Sequence, residues 1–566
     1  MSAFKKIICL LLLFCTHESI AQEWLWTRTS TMVTAGNGSV EGYNVAMDPS
    51  GNIITIGNYT MGSIVFGNDT FHSGASNFVV TKYDSAGNLL WVKGSAGTYS
   101  TAFGLACDPS GNIYVAGQFQ FDTMSLGGHK LTNTNQSLRD FFLYKLDPNG
   151  NVLWAKNDGG TNATLSWPVR TDNAGNVYFF GSYTTPTITF GSYTLTNTST
   201  SGHRDLFLVK FDPAGNTIWA RSAGSDGEEL QSDMTIDDLG NVYITGWMIS
   251  GNAVFGMDTV YKMTANASKY NAYMAKYDSS GNEQWAKLAG GGDLNVTPFS
   301  IKTDNANNVY LAGIIDTGTA TVGSSIMYNP GPKPYDGFFA KFSTVDGSPI
   351  WAKQFTGPGN EQGLCIAREP HNGNMWLSGG FTSDQLVFDN DTLINPTLIP
   401  GNIDPIFITE YDTAGHSHCM TALNGGGDDV NFINFDAAGY LYFGGDYYVD
   451  SFIVGNDTMR LTGAENLFLS KFRPCILPEA VKPLKGNDNE VAIFPNPAKE
   501  QFTVRYSGPA DKNASISIDD LNGRLVKTVM LKGNESTIPT TGMPAGIYLC
   551  KISLKGKTIV QKLFIE

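Results

Sequence analysis

The chain has 566 residues. That is more than one hydrophobic core absorbs, since single cores stop growing at about 250–300 residues, so several domains or a repeat must carry the excess. Charged residues make up only 16%, against 63 glycines and 12% aromatics, which suits short strands with tight turns and excludes a helical bundle. A net charge of −15 excludes a nucleic-acid backbone as partner, because that needs a basic stripe, and serves mainly to keep the chain soluble.

At the N-terminus Lys5 and Lys6 precede an apolar run at 7–14 that is too short to span a bilayer. Ser19-Ile20-Ala21 then supplies the small residues a signal peptidase needs, which predicts a signal peptide over 1–21 and a mature start at Gln22. Cys15 follows Leu13 and Phe14, too large for a lipobox, and no later stretch reads as a transmembrane helix. The remaining cysteines, Cys107, Cys365, Cys419, Cys475 and Cys550, are scattered. They read as small buried side chains, not as a disulfide framework or a metal knuckle.

A repeat then runs through the chain. Lys-aromatic-Asp leads through a Gly turn to Trp, as in Lys82-Tyr83-Asp84 to Trp91 and Lys210-Phe211-Asp212 to Trp219. It recurs at Lys145, Lys276 and Lys341, degenerates at Glu410-Tyr411-Asp412 to Cys419, and ends as the half-copy Lys471-Phe472, while Trp26 begins the series without a preceding Lys. Between these lies Asp-x-x-Gly-Asn followed by alternating apolar residues, starting at Asp48, Asp108, Asp172, Asp237 and Asp304 and more weakly near Glu369 and Asp436. Asp accepts from the backbone two residues on and Gly supplies a positive φ, so both motifs are tight hairpin turns between strands. A third feature follows the second strand: an apolar residue, a Gly turn, then often Asp-Thr, as at Phe66-Gly67-Asn68-Asp69-Thr70 and Phe255-Gly256-Met257-Asp258-Thr259. These read as extra hairpins enlarging one face, and Asp-Thr-apolar also resembles the O-glycosylation sites of some bacteria, although ordinary turn chemistry accounts for it.

Four strands per unit in this order resemble propeller blades with NHL-type repeats, and more closely the bacterial SBBP repeat family. The resemblance spans roughly 22–475 and implies an all-β fold, a seven-bladed β-propeller. Trp26 brings a strand with no unit of its own, and the last unit lacks a fourth strand, so the N-terminal strand should complete the last blade and seal the ring. The recurring Trp side chains are expected to pack between sheets.

After Cys475 a polar linker covers 476–489. Val491-Ala492-Ile493-Phe494-Pro495-Asn496-Pro497, Ile516-Ser517-Ile518-Asp519 and Gly542-Met543-Pro544-Ala545-Gly546-Ile547-Tyr548 follow in order. They resemble the C-terminal sorting domain of the type IX secretion system, which implies a small β-sandwich over 490–566, handling by that machinery, and a secreted or outer-membrane surface location reached through the periplasm. Val504, Ile516, Ile518, Val526 and Val529 are candidate interior positions.

Catalytic motifs are missing from the sequence: no Gly-x-Ser-x-Gly elbow, His-Glu-x-x-His or P-loop occurs. His416 and His418 form a pair with no third ligand near them in sequence. The loops from each fourth strand to the next first strand carry acidic residues: Asp226, Glu228 and Glu229, then Asp293, Glu361, and Asp428 with Asp429. These loops should converge at one mouth of the central channel, where carboxylates could hold a calcium ion or bond sugar hydroxyls, or simply stay hydrated. Trp247 breaks the repeat where other units place Asn58, Gln118 or Ser182. The expectation is an exported, non-enzymatic protein that binds a glycan or protein through this face, with no resident cofactor. The alternatives are a secreted carbohydrate hydrolase or lyase using the mouth carboxylates, and a passive surface-layer component.

Overall fold

The computed structural model describes residues 23–474 and 491–565, apart from short internal stretches of which 158–167, 396–404, 424–430 and 507–513 are the longest. The described residues form strands and turns and no helix. The chain divides into two compact units, Trp24–Pro474 and one holding Cys475–Glu566.

In the larger unit the alternating apolar segments become antiparallel sheets of four strands in sequence order. In one such sheet Glu229–Ile236, Val242–Met248, Asn271–Tyr277 and Glu283–Gly292 pair consecutively. Leu89–Cys107 is continuous, supplying the last strand of one set and the first of the next. The strand Glu23–Thr29 lies beside Asn466–Arg473, so the first and last strands of this unit complete a single sheet. Trp24 packs on Phe472 with ring centres 4.5 Å apart.

The first strands meet in cyclic order. Val40–Met47 touches Leu89–Cys107, and the contacts pass on through Val169–Thr171, Glu229–Ile236, Val296–Thr303, Cys365–Arg368 and Phe432–Phe435, which touches Val40–Met47 again. Neighbouring sheets pack face to face through buried aromatics. Phe141 of one sheet meets Phe179 of the next at 5.2 Å, within a cluster that also holds Tyr114, Phe207 and Val209. Each such side chain stabilises the unit by roughly 1.5–3 kcal/mol on burial.

The turns behave as their residues dictate. Asp108 Oδ1 accepts from the backbone N–H groups of Ser110 and Asn112, both at 2.9 Å, Asn112 Nδ2 donates to Asp108 Oδ2, and Gly111 takes φ +80°. The Lys and Trp of the first motif share one task. Lys145 Nζ and Trp154 Nε1 both donate to the Pro213 carbonyl of the next sheet's turn, at 2.8 and 3.3 Å. Lys210 and Trp219 do the same to Ser279, Lys276 and Trp285 to Thr344, and Lys471 and Trp26 to Ser85 across the chain ends. The degenerate Glu410 copy sits where this latch has no target. The following set's third strand ends at Arg473, and its fourth strand comes from the N-terminus, so no chain turn closes there.

Two expectations change. The extra hairpins do not merely enlarge a face. Asn252–Phe255 leaves its own sheet and pairs with the fourth strand of the preceding one, Ala223 against Phe255 and Gly224 against Val254. Gly290 pairs with Val322 and Phe355 with Phe388 in the same way. The reason is that the fourth strand's outer edge otherwise carries unpaired backbone groups. The second change concerns Cys419, which is disulfide-bonded, whereas Cys107, Cys365 and Cys550 are free thiols.

In the smaller unit Val491–Phe494, Gln501–Tyr506 and Glu535–Pro539 form one sheet. Leu525–Met530, Ser515–Asp520, Gly546–Leu554 and Lys557–Ile565 form another. Both contribute to one core: Val504, Ile516 and Ile518 are fully buried, with Val526 and Val529 packed against them. No helix among the described residues is long and apolar enough to cross a membrane.

Candidate functional site

Because strands alternate in direction, each fourth-to-first loop emerges at the same end of the sheets as the hairpins. The best-developed part of this face gathers around the Glu229–Ile236 sheet. Its leading loop is tied down at every acidic residue. Asp226 is exposed, and its Oδ1 accepts from Thr200 N at 2.7 Å and Thr200 Oγ1 at 2.8 Å, bonds that hold its carboxyl below the ordinary range. Glu228 pairs with Arg204 and lies 3.1 Å from His203 Nδ1. Glu229 is wholly buried and accepts from Ser225 N at 3.0 Å and Ser225 Oγ at 2.9 Å. Glu229 is therefore a cap for its own loop, out of a ligand's reach.

Trp247 stands opposite Leu230 in the strand register, one residue past Glu229. Half-buried, its ring is tilted by 41° against that of Tyr270, also half-buried, with centres 6.1 Å apart. Asp293, on the next loop, is exposed and accepts from Thr264 Oγ1 at 2.7 Å. Tyr270 N donates to Asn295 Oδ1 of that loop, and Tyr335 and Asp316 lie near enough to add to the rise that burial imposes on the Tyr270 hydroxyl. The structure thus brings Asp226, Glu228, Trp247 and Asp293 to one stretch of the face. Tyr270 and Tyr335 join them without a repeat signal to mark them.

Glu361 lies two sheets further on and is fully buried beside the equally buried Asp336. Burial pushes Glu361 up to about 8, the Ser383 hydroxyl donating to it opposes the rise, and the charge of Asp336 adds to it. Gln354 Nε2 donates to Asp336 at 2.6 Å and Ser383 Oγ accepts from Gly359 N at 2.6 Å, so the pair fastens a loop beneath the surface. Asp428 and Asp429 lie outside the described residues.

A further ring escaped the sequence reading. Six third strands carry a buried Asp or Asn at the end nearest this face: Asn77, Asp140, Asp205, Asn271, Asp336 and Asn466. They bind the face's loops: Asp205 accepts from Thr198 N at 2.7 Å, and Asn271 Oδ1 from Met263 N at 2.9 Å. The signal was an Asp or Asn two residues before an aromatic in most units. Among the described residues no group of three His, Cys, Asp or Glu side chains could hold a metal ion; Asp428 and Asp429, part of the calcium expectation, lie outside them. The loop carboxylates are separated by their own hydroxyl and guanidinium partners. His416 and His418 both turn to Asp412, at 3.1 and 3.4 Å.

Residues 492–566 match the secretion system C-terminal sorting domain. The domain belongs to the type IX system and marks an exported protein with a cell-surface or secreted destination. The chain is 24% identical over 398 residues to an uncharacterised WD repeat-containing protein of Acanthamoeba polyphaga mimivirus, covering 58% of this chain and 28% of that one. It is 23% identical over 276 residues to the regulatory protein FlaEY of Caulobacter vibrioides, covering 46% and 27%. The chain thus spans less than a third of the length of either relative. Among solved structures, a Dyadobacter fermentans protein of unknown function aligns with 79% of this chain and 99% of its own, at 9% identity and a TM-score of 0.37. The fold is a repeat of propeller type.

Proposed function

We propose that the mature chain is an exported seven-bladed β-propeller followed by a β-sandwich sorting domain, and that it acts as a non-enzymatic binding protein at the cell surface or in the medium. Its ligand is a glycan bound on the loop-rich face. The observation that carries this reading is the half-buried Trp247, tilted against Tyr270 with ring centres 6.1 Å apart, on the face whose loops carry the anchored Asp226 and Asp293. Aromatic faces bind the apolar faces of sugar rings, while fixed carboxylates accept from sugar hydroxyls. The bonds from Thr200 and Thr264 hold those carboxylates in place before a ligand arrives, which lowers the ordering cost of binding.

A glycan array with the purified chain, followed by titration calorimetry on the best ligand, tests the reading. Trp247→Ala should weaken binding about tenfold or more, the loss expected for an aromatic anchor. Release of reducing sugar from the bound glycan would replace this reading with the enzyme. Binding confined to a protein partner, with no glycan retained, would replace the ligand class.

A further inference from the structure

The first strands line the middle of the cyclic arrangement. Two residues before the turn that ends each of them, the side chain is usually small, as at Ala46, Ala106, Thr235 and Ala367. Arg170 and Lys302 break that pattern from two strands of the ring, and Arg368 stands one position further along a third. Asp233 lies among them, and it is already committed. Asp233 Oδ1 is 2.6 Å from Arg170 Nη2, while Oδ2 accepts from Ile301 N at 3.0 Å and Ser300 Oγ at 3.3 Å.

Two donor groups are left over. Arg170 Nε is buried with no hydrogen-bond partner. The Lys302 ammonium has neither a hydrogen bond nor an ion pair among the described residues. Burial pushes Lys302 down to about 8; the Arg170 and Arg368 charges push the same way, and Asp233 and Cys365 oppose them. Like charges held together repel one another, and a bound anion relieves that repulsion. In a chain of net charge −15, such a cluster is not a by-product of composition.

We propose that the ring's centre holds a binding site for a small oxyanion, a carboxylate or phosphate, received by Arg170, Lys302 and Arg368. Guanidinium groups fit such anions in a planar, two-point manner, and the ammonium adds a point charge. The site does not depend on the loop-face reading, only on the meeting of the first strands.

The test uses the whole chain with inorganic phosphate and citrate as probes, at constant ionic strength. Lysines are reductively dimethylated with ¹³C, which keeps their charge, and the Lys302 signal is assigned from Lys302→Met. The signal should titrate near 8 alone and move upward by about one unit or more with phosphate, since an adjacent anion favours the ammonium. By calorimetry Lys302→Met should bind phosphate about tenfold more weakly, the loss of one charge-assisted contact. Lys130→Met, on an exposed hairpin, should bind as the parent does. A Lys302 signal that ignores both probes, or equal phosphate affinity in parent and Lys302→Met, overturns the site while leaving glycan binding untouched.

Discussion

Glu361 shows how a single buried carboxyl can set the pH response of a whole unit. Its pKa in the folded chain is about 8, against an ordinary 4.5. Between those values the folded state keeps a proton that the unfolded chain gives up. Stability therefore falls as pH rises through the window, by up to about 1.4 kcal/mol per pH unit, and the proton's contribution is gone above about 8. Glu361→Gln should flatten that slope. All ten tryptophans lie between Trp24 and Trp376, so tryptophan fluorescence in urea follows the larger unit alone. An unchanged slope in the variant would mean that Asp336, and not Glu361, holds the proton in the fold. The repeated Lys is the opposite case, a charge made tolerable by exact partners. Lys82 Nζ is 2.8 Å from Asp48, both nearly fully buried, and also donates to the Pro148 carbonyl. A buried ion survives only with such satisfaction.

The hairpin is the element that distinguishes this fold from a plain four-stranded repeat. In several units it bridges two sheets by pairing with the preceding fourth strand, and its Asp reaches back to its own. Asp258 Oδ2 accepts from Ala286 N at 2.9 Å, Asp391 Oδ2 from Ser417 Oγ at 3.0 Å, and Asp457 Oδ2 from Thr27 N at 2.9 Å. That explains the Asp of the Asp-Thr pairs, and the exposed Thr70 and Thr392 play no part in it. The turn itself depends on glycine. Gly323 has φ +58°, and a Cβ there would meet Pro349 Cβ at 2.7 Å. Gly323→Ala should cost about 1–2 kcal/mol, read as a lower urea midpoint, because an L side chain resists this backbone region. No change would mean that the hairpin rests loosely on its neighbour.

At the scale of the molecule, stability depends on where the chain begins. Glu23–Thr29 is joined to Asn466–Arg473 through partners more than four hundred residues apart, such as Thr27 Oγ1 with Ser470 Oγ at 2.9 Å and Thr29 Oγ1, which donates to the Leu467 carbonyl at 2.9 Å. Deleting residues 23–29 bares an edge strand and removes Trp24 and Trp26 from the core. The shortened chain should unfold at lower urea than the Gly323→Ala variant and should associate with itself, as size-exclusion light scattering would detect. A monomer of parental stability would show that the ring does not need its closing strand.

Turn chemistry, strand alternation and the sorting tail were legible residue by residue, because each is decided within about ten positions. Asp108 and Gly111 needed nothing from elsewhere to make their turn. The pairing of the first strand with the last was legible too, from a surplus Trp at one end and a deficit at the other. What only the tertiary structure decided is what depends on distant partners. Glu229 and Glu361 look like exposed mouth carboxylates in sequence, yet burial beneath their loops makes them caps. Trp247 gained Tyr270 as a neighbour, and Arg170, Lys302 and Arg368 became one cluster only once their strands stood around a common centre. Local rules fix backbone shape over short spans, whereas exposure and electrostatic company are set by whatever the whole chain brings alongside.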